Sequence, residues 1–207
     1  MSETIRIPLF PLGLVLLPGM TLPLHIFEER YKQMIGECLA EGTPFGIVLF
    51  DGGAIRRVGC LARVTEVLER YDDGRLDILT RGGERFVIRE LLEVKAYMEA
   101  RVVLFDDEEE ATEAARSLPD LMAAAWEHLK ELVDLDYGFD PRDPGDAAQA
   151  RQLAFSVGAL EGFTPAERQT LLEMTSAAER LAKCLQALSA IAARHGLTRE
   201  IKRLIGG

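Results

Sequence analysis

The sequence predicts an α+β protein in which a small mixed β-barrel, interrupted by one helix, precedes a bundle of helices. Short β-type segments dominate residues 1–106, whereas residues 107–207 contain fewer glycines and β-branched residues and more alanine. We therefore expect two subdomains with these bounds. About six strands of uneven length, without regular strand–helix alternation, favour a closed sheet over a parallel βαβ arrangement.

The strands are predicted from short apolar or alternating segments that turn residues bound. Phe45–Phe50 is followed by the turn sequence Asp51-Gly-Gly53, and Asp72-Asp-Gly74 supplies another turn. Two further β-type segments, Arg75–Thr80 and Arg85–Ile88, flank the pair Gly82-Gly83. Because two adjacent glycines accept positive φ without a Cβ penalty, this pattern predicts a β-hairpin that turns at the pair.

The inserted helix is predicted from Ile26 to Leu39, with Gly42 as its stop. Its apolar face consists of residues at helical spacing, namely Phe27, Tyr31, Met34, Ile35 and Cys38. Charged residues occupy the opposite face. This periodicity indicates that Phe27 and Tyr31 are core residues.

Helices are also predicted throughout the second half. Leu121–Leu135 has helical periodicity, with Pro119 where a first turn tolerates it, and Asp146–Leu160 is a second helical segment. A loop is expected over Tyr137–Gly145. Two capping boxes, Thr164-Pro-Ala-Glu167 and Ser176-Ala-Ala-Glu179, mark two further helix starts.

Two charged features are expected to be structural. The acidic segment Asp106–Glu110 is expected to be solvated, and its charge suits the N-terminus of a helix. Arg85 is expected to take part in a structural ion pair.

The composition disfavours several classes of partner. Net charge is −10, with 13 basic and 17 acidic residues in 1–107 and 11 and 17 in 108–207. A surface that is acidic in both halves disfavours nucleic acid. No apolar segment approaches the roughly 20 residues of a membrane span, and the start lacks the basic region of a secretory signal. We therefore expect a cytoplasmic protein without a membrane partner.

The motifs of common catalytic sites are missing from the sequence. It contains no G-x-x-x-x-G-K-[ST] and no G-x-G-x-x-G, and the nearest approach to a nucleophile elbow has Ala154 where glycine is required. The three cysteines, Cys38, Cys60 and Cys184, are far apart and are expected to be buried in reduced form. The histidines are equally scattered, which argues against a metal site. We therefore expect no catalytic residue, no cofactor and no metal site.

One opening segment resembles a known family. From Ile7 to Tyr31 the chain contains the patterns P-L-F-P-L, V-L-x-P-G and L-P-L-x-I-F-E-x-R-Y. This segment resembles the start of the amino-terminal, substrate-binding domain of Lon-type ATP-dependent proteases. The later landmarks are Phe45–Val48, Val58–Cys60, Asp73–Arg75, Gly83–Phe86, Glu167–Glu173 and Glu179–Leu181. The resemblance extends to about residue 192.

The resemblance implies a fold and a function. It implies a PUA-like barrel followed by a helical subdomain, recognition of unfolded or degron-bearing polypeptides, and contacts between protomers that would give a weak homo-oligomer. The ATPase and serine–lysine peptidase modules of full-length Lon proteases have no counterpart in these 207 residues. We therefore expect a non-catalytic recognition module that acts beside a separate protease or chaperone, or alone.

The family places its recognition surface near the opening segment. Phe27, Glu28, Glu29, Arg30 and Tyr31 are accordingly the candidate polypeptide-binding residues. The alternative is that the three charged residues are merely solvated at a helix start and that the two aromatic residues belong to the core.

Two other functions remain open at this point. PUA-like barrels elsewhere bind RNA, although the net charge of −10 argues against this function. A small-molecule site in a pocket between barrel and bundle is the other alternative, for which the sequence indicates no ligand.

Overall fold

The computed structural model describes residues 3–129 and 147–189. The chain divides into two compact units. The first comprises Met1–Asp106 and Arg168–Glu173, and the second comprises Asp107–Glu167 and Met174–Gly207. The division into domains at residue 106 stays a prediction, because the segment 168–173 belongs with the earlier residues.

Strands precede most of the helices along the chain. The strands are β1 (Thr4–Leu12), β2 (Thr21–Ile26), β3 (Phe45–Asp51), β4 (Ala54–Arg70), β5 (Leu76–Leu92) and β6 (Glu99–Phe105). The helices are α1 (Glu29–Glu41), α2 (Thr112–Leu129), α3 (Ala147–Gly158) and α4 (Pro165–Glu173). A further helix, α5, is described over residues 177–189.

The strands form a closed mixed sheet. Their order is β2-β5-β4-β3-β1-β6, and β6 also pairs with β5. Five strands therefore close into a barrel. The sixth, β2, pairs only with the first half of β5. β1 and β3 are parallel and the other pairs are antiparallel. The predicted α+β class, with a mixed barrel interrupted by one helix, is confirmed.

The barrel interior is organised around the ring of Phe86, which is fully buried. A Cβ atom at Gly46 would lie 2.7 Å from Phe86 Cζ, and one at Gly59 would lie 2.5 Å from it. Both positions therefore need glycine because the ring occupies the space of a side chain. Ring burial of this kind contributes about 2–3 kcal/mol of transfer free energy.

The hairpin predicted at Gly82-Gly83 is wrong. Both glycines lie inside the continuous strand β5, and neither has a positive φ. A Cβ at Gly82 would lie 2.1 Å from the carbonyl oxygen of Leu17. The Gly82 N–H donates to Met20 O, and its own carbonyl accepts from Gly19 N–H, both at 2.9 Å. Gly82 therefore permits the β1–β2 connection to approach the strand, which local sequence does not reveal.

The other predicted glycine turns are confirmed. Gly52 and Gly53 have φ values of 58° and 82° between β3 and β4, and Gly74 has a φ of 83° between β4 and β5. These left-handed conformations carry no Cβ penalty only at glycine.

Helix α1 begins three residues later and ends two residues later than predicted. Tyr31, Met34, Ile35 and Cys38 form its buried face, as the periodicity indicated. Gly42 ends the helix in the left-handed conformation, with a φ of 66°.

Helix α2 begins nine residues before the predicted start at Leu121. Pro119 lies inside it rather than in its first turn. An internal proline costs a helix about 3 kcal/mol. Burial of Leu118 and Met122 on either side of it offsets that cost. The predicted end at Leu135 and the loop over Tyr137–Gly145 lie outside the described residues.

The capping box at the start of α4 is confirmed. Thr164 N–H donates to Glu167 Oε2 at 2.7 Å, and Glu167 N–H donates to Thr164 Oγ1 at 3.2 Å. Each residue therefore satisfies a backbone donor that the helix start leaves unpaired.

The start of α5 is capped by a distant residue. Glu179 N–H donates to Ser176 Oγ at 3.1 Å, as the second box predicted. However, it is Glu110 that accepts hydrogen bonds from Ala177 N–H (2.5 Å) and Ala178 N–H (3.1 Å). A carboxylate at this position stabilises the helix through hydrogen bonds and through the helix dipole.

The expectation that the acidic segment is merely solvated is wrong for two of its residues. Besides Glu110, Asp107 forms a bidentate pair with the fully buried Arg180, at 2.6 and 3.0 Å. Burying a guanidinium is costly unless a carboxylate accompanies it. The need to neutralise Arg180 therefore holds Asp107 at this position.

The packing of Gly82 predicts a specific loss of stability. We expect Gly82→Ala to lower the free energy of unfolding by about 2 kcal/mol or more, because the new methyl group overlaps a backbone carbonyl. Urea denaturation followed by circular dichroism measures the change. Gly83→Ala is the matched control, since its Cβ would have no neighbour closer than 3.7 Å. Equal stability of the two variants would contradict the close approach.

The Glu110 cap predicts a second effect. We expect Glu110→Ala to lower the free energy of unfolding by about 1–2 kcal/mol, because two backbone N–H groups of α5 lose their acceptor. Urea denaturation and amide hydrogen exchange in residues 177–189 measure the effect. The control is Glu109→Ala, which removes the same charge from an exposed neighbour. If both variants lose the same stability, general electrostatics and not capping explains the change.

Candidate functional site

The candidate residues lie where strand β2 passes into helix α1. β2 ends at Ile26, and Glu28 is the N-cap residue with extended backbone, at φ −72° and ψ 134°. Phe27 therefore lies in a short non-helical connection. Phe27 thus precedes the helix and Tyr31 lies within it, although the sequence periodicity places both on one helical face.

The expectation that Phe27 is a core residue is wrong. Its side chain is 60% exposed, which is the second largest exposure among the large apolar residues of the described chain that are classed as exposed. The helical periodicity does not apply to it, because α1 begins only at Glu29. A single exposed apolar side chain is common on protein surfaces, whereas a contiguous exposed patch marks a contact surface.

Tyr31 is a core residue, as expected. It is only 7% exposed, and its ring lies 4.1 Å from that of Phe10. Burial raises the pKa of its phenol. The guanidinium of Arg30 covers the outer face of the ring at 4.6 Å from its centroid. Tyr31 thus packs beneath Arg30 and presents little of its own ring at the surface.

The three charged candidates are solvated and paired with near neighbours. Glu28 makes no capping hydrogen bond, and instead its carboxylate accepts one from Arg30 Nε at 2.9 Å. Glu29 pairs with Lys32 at 2.8 Å. Exposed pairs of this kind contribute at most about 1 kcal/mol each and exchange readily for other partners.

An exposed group of aromatic rings lies next to these charges. The ring of His25 stacks on Phe27 with 5.9 Å between centroids, and it meets the edge of Tyr71 at 6.0 Å. His25, Phe27, Tyr71, Arg75 and Asp77 together are called the aromatic surface below. Ring pairs at these separations are attractive by about 0.5–1.5 kcal/mol.

Asp77 holds the polar side of the aromatic surface in place. Strand register places Asp77 opposite His25. Its carboxylate accepts a hydrogen bond from His25 Nδ1 at 2.5 Å and one from Tyr71 Oη at 2.7 Å. The bond from His25, followed by that from Tyr71, lowers the pKa of Asp77, whereas the bond to Asp77 raises the pKa of Tyr71.

The turn between β4 and β5 completes the surface. Arg75 places its guanidinium 4.8 Å from the Tyr71 ring centroid and donates from Nε to Asp73 at 2.7 Å. The backbone N–H of Arg75 is the largest of several causes that lower the pKa of Asp73. Lys32 on α1 donates to the Asp73 carbonyl oxygen at 2.9 Å. The helix and the turn are thereby joined beside the rings.

Sequence reasoning found only one ring of this surface. His25 and Tyr71 are 46 residues apart, and nothing in the local pattern connects them. The signal was the register of β2 on β5, which places His25 opposite Asp77 but can be read only once the strands are paired.

The described residues bring together no group that resembles a catalytic or metal centre. The cysteines are buried and unpaired, and burial raises the pKa of Cys60 and that of Cys184 to about 12. Such thiols are poor nucleophiles at neutral pH. Within 3–129 and 147–189 no three His, Cys, Asp or Glu side chains are grouped for a metal ion. No described helix is both long and apolar enough to cross a membrane.

Three of the later sequence landmarks, those that contain Val58, Arg85 and Gln169, make structural contacts. Arg85 is 2% exposed, donates to Leu172 O at 3.0 Å, and lies 3.9 Å from the carboxylate of Asp106, which confirms its structural ion pair. Gln169 Nε2 donates to the carbonyl of Val58 at 3.1 Å. These bonds attach the end of α4 to the barrel strands.

Comparison with known proteins agrees with these features. Residues 6–190 match the family model of the ATP-dependent protease La (LON) substrate-binding domain. The chain is 27% identical over 190 residues to the Lon protease of Roseiflexus castenholzii, covering 88% of this chain and 24% of that protein. It is 25% identical over 198 residues to the Lon protease of Flavobacterium johnsoniae, again covering 88% and 24%. The chain thus spans about a quarter of these relatives.

Solved structures show the same architecture. The crystal structure of a Lon N-terminal domain protein from Xanthomonas campestris superimposes with a TM-score of 0.65 at 25% identity, covering 88% of this chain and 98% of that one. The N-terminal domain of Mycobacterium avium complex Lon protease has the same fold, with a TM-score of 0.66 at 20% identity over 89% of this chain and 98% of that one. Because the family model matches residues 6–190, the chain belongs to the family of Lon substrate-binding domains.

Proposed function

We propose that this chain is a non-catalytic polypeptide-recognition module that binds unfolded or degron-bearing proteins and presents them to a separate protease or chaperone. The aromatic surface, with Glu28, Glu29 and Arg30 beside it, is the proposed contact region. The exposed ring of Phe27 carries this proposal, because it is a large apolar side chain on the surface of a domain from a substrate-binding family.

The chemistry of the aromatic surface suits an unfolded partner. Unfolded chains expose apolar and aromatic side chains that folded proteins bury, and flat rings accept these without requiring one sequence. The polar atoms of His25 and Tyr71 are bound to Asp77, so the rings are held without support from a partner. A preordered surface loses less entropy on binding.

The neighbouring charges fit the role of a polar rim. Glu28 pairs with Arg30, and Glu29 pairs with Lys32, at the edge of the rings. Rim charges contribute little affinity but exclude water and set the on-rate and its salt dependence. Tyr31 contributes through packing, because it lies beneath Arg30.

The setting of the proposed activity follows from the same observations. The chain matches the substrate-binding domain and spans about a quarter of these Lon proteases, and in the proposed role the peptidase is a separate partner. Three buried cysteines without disulfides suit the reducing cytoplasm. Weak self-association, as the family resemblance implies, would raise avidity for a long unfolded chain.

The proposal predicts the effect of removing one ring. We expect Phe27→Ala to weaken binding of a reduced and carboxymethylated model protein by about tenfold, as for a central aromatic contact. Fluorescence anisotropy of the labelled model protein measures the Kd, which we expect in the tens of micromolar for the unchanged chain. Phe50→Ala is the matched control, because Phe50 is similarly exposed, at 48%, at the end of β3.

The outcomes separate the function from its location. Absence of saturable binding by the unchanged chain would overturn polypeptide recognition. Equal weakening by Phe27→Ala and Phe50→Ala would keep recognition but remove it from the aromatic surface. The same model protein in its native, disulfide-bonded form should compete poorly, because its apolar side chains are buried.

RNA binding has less support than polypeptide recognition. The net charge is −10, and the cations of the aromatic surface and its rim are engaged with carboxylates. We expect no shift of a structured RNA in a gel assay at physiological salt, since few phosphates could be neutralised. A complex that weakens steeply with added salt would revive this alternative.

A further inference from the structure

A second concave region lies on the first unit, away from the aromatic surface. It is a cleft of about 300 Å³ between the first half of β1, the second half of α1 with the loop that follows, and the segment that leads into β6. Ligand pockets commonly measure about 300–1,000 Å³, so this cleft suits a single side chain better than a larger molecule.

The walls of the cleft are apolar. Pro8 of β1, Pro44 and Cys38 of α1 line it, together with Ile5 and Ile7, which also pack in the barrel core. Ile7 and Cys38 are buried, whereas the other three are half-buried. Such walls can pack against an aliphatic chain.

Two ion pairs line the cleft. The buried Glu99 accepts one hydrogen bond from the exposed Arg6. Glu37 accepts one from Lys95 Nζ and one from Tyr97 Oη, each at 2.5 Å. These two bonds lower the pKa of Glu37 to about 2, so it is ionised throughout the physiological range.

The third carboxylate of the cleft, that of Glu41, belongs to neither of these ion pairs. Glu41, at the end of α1, is exposed, and among the described residues it forms no ion pair. The cleft therefore contains three carboxylates and two cations of its own. One negative charge is left over beside apolar walls.

We propose that this cleft binds the side chain of a lysine or arginine from the bound polypeptide, with the aliphatic stem against the walls and the cation at Glu41. The proposal rests on the proposed function and names a feature of its substrate. Selected polypeptides would combine exposed apolar residues with a basic residue.

Two cationic side chains that already line the cleft support this assignment. Arg6 and Lys95 are themselves cations on aliphatic stems, and both meet carboxylates inside the cleft. The space beside Glu41 offers a third cation the same kind of contact. The net charge of −10 attracts basic partners at long range and raises their association rate.

The probe for this site is Nα-acetyl-arginine amide, with the citrulline analogue as its neutral control. We expect the arginine probe to shift the backbone amide resonances of Ile7, Cys38 and Thr43 in a two-dimensional NMR titration, with a Kd in the millimolar range. The citrulline analogue keeps the shape but lacks the charge, so it should leave these resonances in place. Added salt should weaken the effect.

The variant that tests the contact is Glu41→Gln. We expect it to weaken the arginine probe by about two- to fivefold, the range of an exposed ion pair. The matched control is Glu66→Gln, which removes the same charge from an exposed residue of β4 outside the cleft. Because both residues are exposed, neither change should impair folding.

Each outcome decides the proposal independently of polypeptide recognition. Arginine-specific shifts that Glu41→Gln weakens and Glu66→Gln does not would support it. No shifts, or equal shifts with arginine and citrulline, would overturn the cleft site even if the unfolded model protein binds. Failure of the model protein to bind would overturn the proposed function, whereas the small probe would still report on the cleft.

Discussion

Closure of the barrel through β5 is the constraint on which the rest of the first unit depends. This strand pairs with β2 over its first half, with β6 over its second half, and with β4 along both. The change of partner occurs at Gly82, where the β1–β2 connection approaches the strand backbone within the space of a side chain. A larger residue there would separate β2 from β5, because the carbonyl of Leu17 would have to move.

The aromatic surface depends on the pairing of β2 with the same strand, β5. The register of β2 on β5 sets His25 opposite Asp77, and the bond between them orients the ring on which Phe27 stacks. The extended backbone at Glu28 then leaves Phe27 outside the helix. The arrangement of the proposed contact region thus depends on backbone hydrogen bonds within the sheet.

Helix α1 connects the two proposed contact regions. Its start adjoins the aromatic surface, and its second half lines the acidic cleft. With a rise of 1.5 Å per residue, the regions lie about 12–18 Å apart along the helix. An extended segment of about six residues is long enough to reach both. An apolar anchor and a basic side chain at that spacing would use both regions at once.

The sequence by itself determined the α+β class, the buried face of α1, the turns at Gly52-Gly53 and Gly74, and the capping box at Thr164, because each depends on neighbours within a few residues. Only the tertiary structure decided the roles of Gly82, Phe27, Asp107 and Glu110. An approaching carbonyl, a strand register, the buried Arg180 and the backbone donors at the start of α5 set these roles. Each of these partners is distant in sequence, so local periodicity and composition contain no record of it.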